Sequence, residues 1–214
     1  MTIHEMRKVY TLAGLDVSDV ASDPLQQFRR WFDQAKQSDL PEWVEVNAMT
    51  LATSDSQGRV TSRIVLLKGI ENARFVFFSN YLSVKGQQIR ENPHVCLTFF
   101  WPHVERQVVI TGAAAPISRD RTEQYFHSRP RDSQLGAWTS QQSAVIDDRS
   151  VLERRFEELG RQHNGLTIPV PDHLGGYEVT PDQMEFWQGR PSRLHDRIRY
   201  RRQESDWRIE RLSP

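Results

Sequence analysis

Ala48-Met49-Thr50-Leu51-Ala52-Thr53 and Val60-Thr61-Ser62-Arg63-Ile64-Val65-Leu66-Leu67 flank the polar stretch Ser54-Asp55-Ser56-Gln57-Gly58. Both flanks are rich in β-formers and the middle is turn chemistry, so the pair reads as a hairpin that opens a meander. Upstream, Asp23-Pro24 reads as an N-cap with proline at N1. Leu25, Phe28, Trp31, Phe32 and Ala35 follow at helical spacing and make an amphipathic helix. Downstream, Arg74 to Phe78, His94 to Trp101 and Val104 to Ala115 read as further strands. A helix from Val84 to Glu91 interrupts them, with Ser83 as its N-cap and Asn92-Pro93 as its stop. The fold class is mainly β with flanking α-helices.

Charge within this pattern points to an anion. Arg63 sits in an apolar strand, where a guanidinium is costly unless it meets a carboxylate or a bound anion. Lys68 follows at opposite parity, so the two cations reach one ligand only if the chain turns at Gly69. Lys85 lies in the first turn of a helix and opposes the macrodipole, which hints at an anion between them, although an exposed lysine without a partner is the commoner case. The run Tyr125-Phe126-His127-Ser128-Arg129-Pro130-Arg131-Asp132-Ser133-Gln134-Leu135-Gly136-Ala137-Trp138 carries the strongest signal. Helices are expected over Arg119 to Ser128 and Asp132 to Trp138. Tyr125 and Arg129 then share a face at i,i+4, and Ser133 reaches the same point from the next helix N-terminus, where a phosphate would fit. A surface helix-turn-helix with solvated arginines is the alternative.

The rest of the chain adds a second dense region. Gln141-Gln142-Ser143 reads as a polar turn, Ser150 to Gly160 as an amphipathic helix, and Tyr177 to Val179 as a return to strand. Gln107 lies beside Val108 and Val109, where its amide would satisfy backbone or a ligand. Met184-Glu185-Phe186-Trp187-Gln188-Gly189 precedes Arg193-Leu194-His195-Asp196-Arg197. On a strand, Arg193, His195 and Arg197 share one face by period two. A solvated edge strand is the competing reading, and the unbroken row of three favours a site. Asp206 to Arg211 closes the chain as a last strand, as in a barrel that ends in a hairpin.

Composition sets limits. Lysine plus arginine and aspartate plus glutamate are both 28, so the net charge is zero and no global field favours nucleic acid or an anionic membrane. The single cysteine, Cys96, suits a buried thiol and a reducing compartment. No signal peptide, membrane span, glycine-rich nucleotide fingerprint, nucleophile elbow or metal-ligand spacing is present, so the expectation is a cytoplasmic protein without a metal. Residues 1–22 are expected to form a polar, mobile N-terminal segment and 23–214 a single domain.

Arg63-Ile64-Val65-Leu66-Leu67-Lys68, Glu105-Arg106-Gln107-Val108, Tyr-Phe-His-Ser-Arg-Pro at 125–130, and Glu-Phe-Trp-Gln-Gly at 185–189 followed by Arg-Leu-His-Asp-Arg at 193–197 together resemble the pyridoxamine 5′-phosphate oxidase family, over nearly the whole chain. The resemblance implies an FMN-binding split β-barrel and a homodimer with FMN at the subunit interface. It implies oxidation of pyridoxamine or pyridoxine 5′-phosphate to pyridoxal 5′-phosphate, with O2 as acceptor and release of H2O2, and of ammonia from the amine. A non-catalytic flavin or pyridoxal-phosphate binding protein on the same fold is the alternative it leaves.

By matching position, the cofactor would be held by Arg63, Ile64, Val65, Leu66, Leu67, Lys68, Phe78, Ser79, Lys85, Gln107, Gln142, Ser143, Trp187 and Arg197. The substrate phosphate would be gripped by Lys68, Tyr125, Arg129 and Ser133, and the ring contacted by Arg193, Leu194 and His195, with Arg193 and His195 catalytic. Arg7, Lys8, Val9 and Tyr10 resemble a substrate-covering segment. The chain departs from the family at Val84, where an arginine is common. One charge-assisted contact near the FMN phosphate, worth about 1 to 3 kcal/mol, is thereby missing.

Overall fold

The computed structural model describes residues 2–5, 8–37 and 39–214. Arg7, assigned above to the substrate-covering segment, lies outside the described residues. Helix α1, Pro24–Lys36, starts as expected: the Asp23 carboxylate accepts from the Leu25 amide at 3.0 Å, and Pro24 occupies the first turn. Leu25, Phe28, Trp31 and Ala35 form its buried face. Phe28 packs edge-on against Phe75 and Phe99, with ring centroids 5.1 and 5.0 Å apart, and Trp31 packs edge-on against Phe186 at 5.2 Å. Fully burying side chains of this size contributes about 1.5 to 3 kcal/mol each, which fixes α1 over one face of the sheet.

That sheet contains β1 (Ala48–Ser54), β2 (Val60–Leu66), β3 (Gly69–Glu71), β4 (Arg74–Asn80), β5 (His94–Trp101), β6 (Arg106–Pro116), β7 (Leu174–Gln188), β8 (Asp196–Gln203) and β9 (Asp206–Leu212). Its order is β2-β1-β5-β6-β7-β4-β3, with β8 added beside β7 and β9 beside β8. The hairpin of β1 and β2 is the expected one. Asp55 accepts from the Gln57 and Arg59 amides, and Gly58 takes the positive φ of +78° that its turn requires.

β7 explains why the sheet divides. Its first part pairs with β4, from Leu174 opposite Asn80 to Val179 opposite Phe75, and its second part pairs with β8, from Gln183 opposite Arg201 to Gln188 opposite Asp196. β6 pairs with it along both parts, with a bulge at Thr111/Gly112. A Cβ on Gly112 would stand 2.1 Å from the Thr180 carbonyl oxygen, so the bulge needs glycine. The result is a curled, half-barrel sheet with its hydrophobic core inside.

Several sequence expectations change here. The run Tyr177 to Val179 is the early part of a strand of 15 residues, long because it serves two partners in turn. A short strand, β3, precedes β4; it was concealed because it holds only three residues. β6 begins at Arg106, since residues up to Glu105 form a tight turn in which Glu105 takes φ 55°. Arg193 and His195 are not on a strand. Pro191–Arg193 form a 3-10 turn, Ser192 and Arg193 adopt φ of 57° and 61°, and β8 starts only at Asp196. Such left-handed backbone cannot continue a pleat, so the expected shared face of Arg193, His195 and Arg197 does not form.

Beyond the sheet lie α2 (Val84–Glu91), α3 (Arg119–Ser128), α4 (Arg131–Thr139) and α5 (Ser150–Gln162). Phe126, Leu135, Ile168 and Leu174 form a second, smaller core that seats the last three helices beside β7.

Candidate active site

The split of the barrel is also its cleft. β2 and the β4-β3 pair are the two ends of the sheet path, and between them lies a cavity of about 530 Å3. Arg63, Ile64, Val65 and Leu66 line it from β2, Phe78 and Ser79 from β4, and Lys85 with Val84 from α2. Lys68, Tyr125, Gln142 and Ser143 complete the lining. The opposite parity of Arg63 and Lys68 is resolved by the turn at Gly69: the Lys68 amide bonds Val76 O at 2.8 Å as the chain leaves β2 for β3. Leu67 departs from the predicted set. Its side chain is buried in the core and faces the groove beside α1.

Two cations dominate this cavity without an acid beside them. The Arg63 guanidinium donates to Leu51 O at 3.1 Å and Thr53 Oγ1 at 2.7 Å, and also to Thr61 Oγ1. Lys85 is only 8% exposed and donates to Ser83 Oγ at 3.1 Å and Gln142 Oε1 at 2.8 Å. Its first-turn position is held by Ser83, which caps α2 by accepting from the Gly86 amide. Burial, with a smaller contribution from nearby Arg63, brings the Lys85 ammonium down to about 8. Among the described residues no carboxylate pairs with Arg63, Lys68 or Lys85, and none lines the cavity. A buried ammonium and a half-buried guanidinium bonded only to neutral oxygens favour an arriving anion.

A second cavity of about 320 Å3 shares Phe78, Ser79, Tyr125 and Gln142 with the first, so the two form one cleft. Here the structure brings together Tyr125, Arg129 and Ser133. Arg129 ends α3 in extended conformation, Pro130 precedes α4, and Ser133 lies in the first turn of that helix, which has no side-chain cap. The Arg129 guanidinium stands 5.9 Å from the Tyr125 ring centroid. Burial raises the Tyr125 phenol above its ordinary value, Arg129 partly offsetting it, so the hydroxyl keeps its proton for donation. Asn80, Gly136, Ala137, Ser140, His173 and Leu174 complete the lining; the sequence singles out none of them as a site residue.

The remaining predicted residues form a separate cluster. Gln107 pairs with Trp187, and Trp187 with Arg197. His195 lies 4.7 Å from Trp187, and its Nδ1 accepts from the Arg190 amide at 3.1 Å, which leaves Nε2 to carry the proton of the neutral ring. Tyr10 packs edge-on against both rings at 5.6 Å. Lys8 stands 3.5 Å from Glu105, while Val9, Arg193 and Leu194 are exposed. Arg197 already pairs with Glu185 at 2.8 Å, which raises its affinity for its proton. None of these residues lines either cavity. Gly176 pairs with Phe78 at the cleft, and Trp187 lies roughly 35 Å further along β7 at about 3.3 Å per residue.

Register places part of both regions on the outer face of the sheet. Ile64 pairs with Thr50 and Thr50 with Thr98; Phe100, two residues on, pairs with Gln107, which leads to Trp187 and Arg197. Ile64 is 63% exposed and Phe100 55%. Large apolar side chains spread over such a face are those that association covers.

The architecture and cleft define a split-barrel class of flavin-associated proteins. A pyridoxamine 5′-phosphate oxidase-related, FMN binding protein from Nostoc punctiforme shares the fold, with a TM-score of 0.70 at 16% identity over 91% of this chain and all of that one. PhzG from Burkholderia lata, solved in complex with tetrahydrophenazine-1-carboxylic acid, gives a TM-score of 0.88 at 28% identity, covering 97% of this chain and all of its own. Residues 36–163 match the family model described as pyridoxamine 5′-phosphate oxidase, and 175–214 match the pyridoxine 5′-phosphate oxidase C-terminal dimerisation region. Curated proteins named pyridoxine/pyridoxamine 5′-phosphate oxidase are 56% identical in Rhodopirellula baltica, over 98% of this chain and 96% of theirs, and 50% identical in Leptospira interrogans, over 99% and 98%. The chain belongs to the pyridoxamine 5′-phosphate oxidase family, a family of oxidoreductases. The dimerisation match supports a homodimer. Among the described residues no helix is long and apolar enough to cross a membrane.

Proposed function

We propose that the chain oxidises pyridoxamine or pyridoxine 5′-phosphate to pyridoxal 5′-phosphate with FMN and O2, releasing H2O2, and ammonia from the amine. The observation that carries this reading is the pair of anion grips in one cleft: Arg63 with Lys85 at one end, Tyr125 with Arg129 and Ser133 at the other. A flavin mononucleotide and a phosphorylated vitamer each bring one phosphate, and each grip suits one. The donor set fits FMN, since Arg63, Lys85 and Ser143 offer donors for its phosphate, and Ile64, Val65 and Leu66 on an edge strand offer backbone N–H and C=O groups for a flat heterocycle. Bound FMN would supply the two-electron acceptor and the route to O2.

The chain's own part is binding, orientation and proton placement. Arg129, Ser133 and the Tyr125 hydroxyl hold the substrate phosphate, and Lys68, which lines the adjoining cavity and has no side-chain partner among the described residues, is assigned to it as well. Binding energy from that remote group orients the ring. Arg193, His195 with its Nε2 proton, and Leu194 are assigned to the ring. Because none of them lines the cleft of its own chain, they are assigned to the cleft of the partner in a two-fold dimer, where each surface meets its equivalent. Trp187, Gln107 and Arg197 cross over the flavin in the same way. The exposed Ile64 and Phe100 face is the one such a dimer buries.

The test is pyridoxal 5′-phosphate formation in air by protein reconstituted with FMN, given either vitamer without nicotinamide cofactor. Equal amounts of aldehyde and peroxide over many turnovers support the proposal. A flavin-loaded protein inert to both vitamers overturns it.

A further inference from the structure

Glu105 belongs to neither grip, yet it is the one buried carboxylate among the described residues and its backbone is strained. It is 2% exposed and takes φ 55°, a region that bulky residues occupy only when their surroundings demand it. Its Oε2 accepts from two successive amides of the N-terminal segment, Thr11 at 2.9 Å and Leu12 at 3.1 Å, and its Oε1 faces Lys8 Nζ at 3.5 Å. Its carbonyl oxygen points to another segment, accepting from the Gly189 amide at 2.8 Å and Gln188 Nε2 at 3.1 Å. One residue thus ties residues 8–12 to the strand end that carries Trp187.

Between those two attachments lies Tyr10. Its ring meets Trp187 and His195 edge-on, and it rests on Gly189, where a Cβ would come within 2.7 Å of the ring. We propose that Glu105 is a positioning residue for the substrate-ring end of the site, its carboxylate clamping the N-terminal segment so that Tyr10 braces Trp187 and His195. The role rests on the assignment of His195 to the substrate ring. It explains why an acid is buried at a tight turn: a carboxylate accepts from two adjacent N–H groups and a cation at once, and a hydrophobic residue there would leave both amides without partners.

The experiment compares the full-length wild type with Glu105→Ala, Glu105→Gln and Tyr10→Ala, all FMN-reconstituted. Amide hydrogen exchange is read at Thr11 and Leu12, and KM and kcat are measured for pyridoxine 5′-phosphate. Glu105→Ala is expected to speed exchange at both amides and to raise KM about tenfold or more, the loss falling on KM rather than kcat. Glu105→Gln, which keeps one oxygen for the amides, is expected to recover part of both effects. In a Tyr10→Ala background Glu105→Ala should add little, because the two act through one contact. Unchanged exchange, or faster exchange with unchanged KM, or additive KM effects, would overturn the proposal. If Glu105→Ala fails to fold, Glu105→Gln and Tyr10→Ala supply the same comparison. Should the wild type lack oxidase activity, the exchange data still decide whether the clamp exists, so the failure of the functional reading is seen separately.

Discussion

The rings of Tyr125 and Phe78 lie face to face, with centroids 3.5 Å apart and planes 10° apart. Phe78 comes from the strand that edges the barrel split and Tyr125 from α3, so this stack joins the sheet to the helical layer. It also forms the wall common to both cavities. The two cavities, which the proposed function assigns to the cofactor and to the substrate phosphate, are therefore joined through one aromatic pair.

Arg129 lines the second cavity, on the far side of that wall, and has no carboxylate partner among the described residues. Arg129→Ala should raise KM for either vitamer by about 10- to 100-fold, the loss of a charge-assisted contact, with FMN content unchanged. Steady-state kinetics and flavin absorbance measured on the same preparation check this. Equal loss of FMN would contradict the division of the cleft.

Val84, at the start of α2, lines the cavity proposed for the cofactor and is half exposed. Val84→Arg should tighten FMN binding by about 1 to 3 kcal/mol through a new charge-assisted contact. Fluorescence titration of the apoprotein with FMN reads the change, and unaltered affinity would show that Arg63 and Lys85 already satisfy the phosphate.

Lys85 gives the cofactor site a pH dependence. Its ammonium in the free protein loses its proton at about 8, and an adjacent phosphate dianion raises that value. FMN binding should therefore be strongest below pH 8 and weaken by up to about tenfold per pH unit as pH rises through 8, since the complex then takes up a proton. Titrations from pH 7 to 9.5 test the slope, and Lys85→Met should flatten it.

Much of this was legible in the chain. The i,i+4 spacing of Tyr125 and Arg129, the proline at 130 and the nearby Ser133 predict a shared point, and the helix-to-helix turn delivers all three to one cavity. The cap at Ser83 was equally readable, because capping is a local property; the commoner reading of Lys85 as an exposed lysine without a partner was wrong, since it is buried against Gln142, 57 positions away in sequence. The region after Trp187 was not. Alternating Arg193, His195 and Arg197 mimics a strand, but Pro191 and two left-handed residues set a turn that no period reveals. Glu105 stood inside a recognisable motif, yet its clamp on residues 11 and 12 depends on contacts more than ninety positions apart in sequence. The distance between the two halves of the site follows from the length of β7, of which only Tyr177 to Val179 was read as strand.

The central claim is that one complete site combines the cleft of one chain with the Trp187 to Arg197 end of its partner. Subunit complementation tests it most directly. Arg129→Ala and Arg193→Ala homodimers, each impaired and each retaining FMN, are dissociated, mixed in equal amounts and reassociated. Half of the dimers are then mixed, and each mixed dimer carries one site free of both changes. Activity should return to about a quarter of the wild-type value. Activity that stays at the average of the two parent mutants would place Arg129 and Arg193 of the same chain in one site and contradict the account.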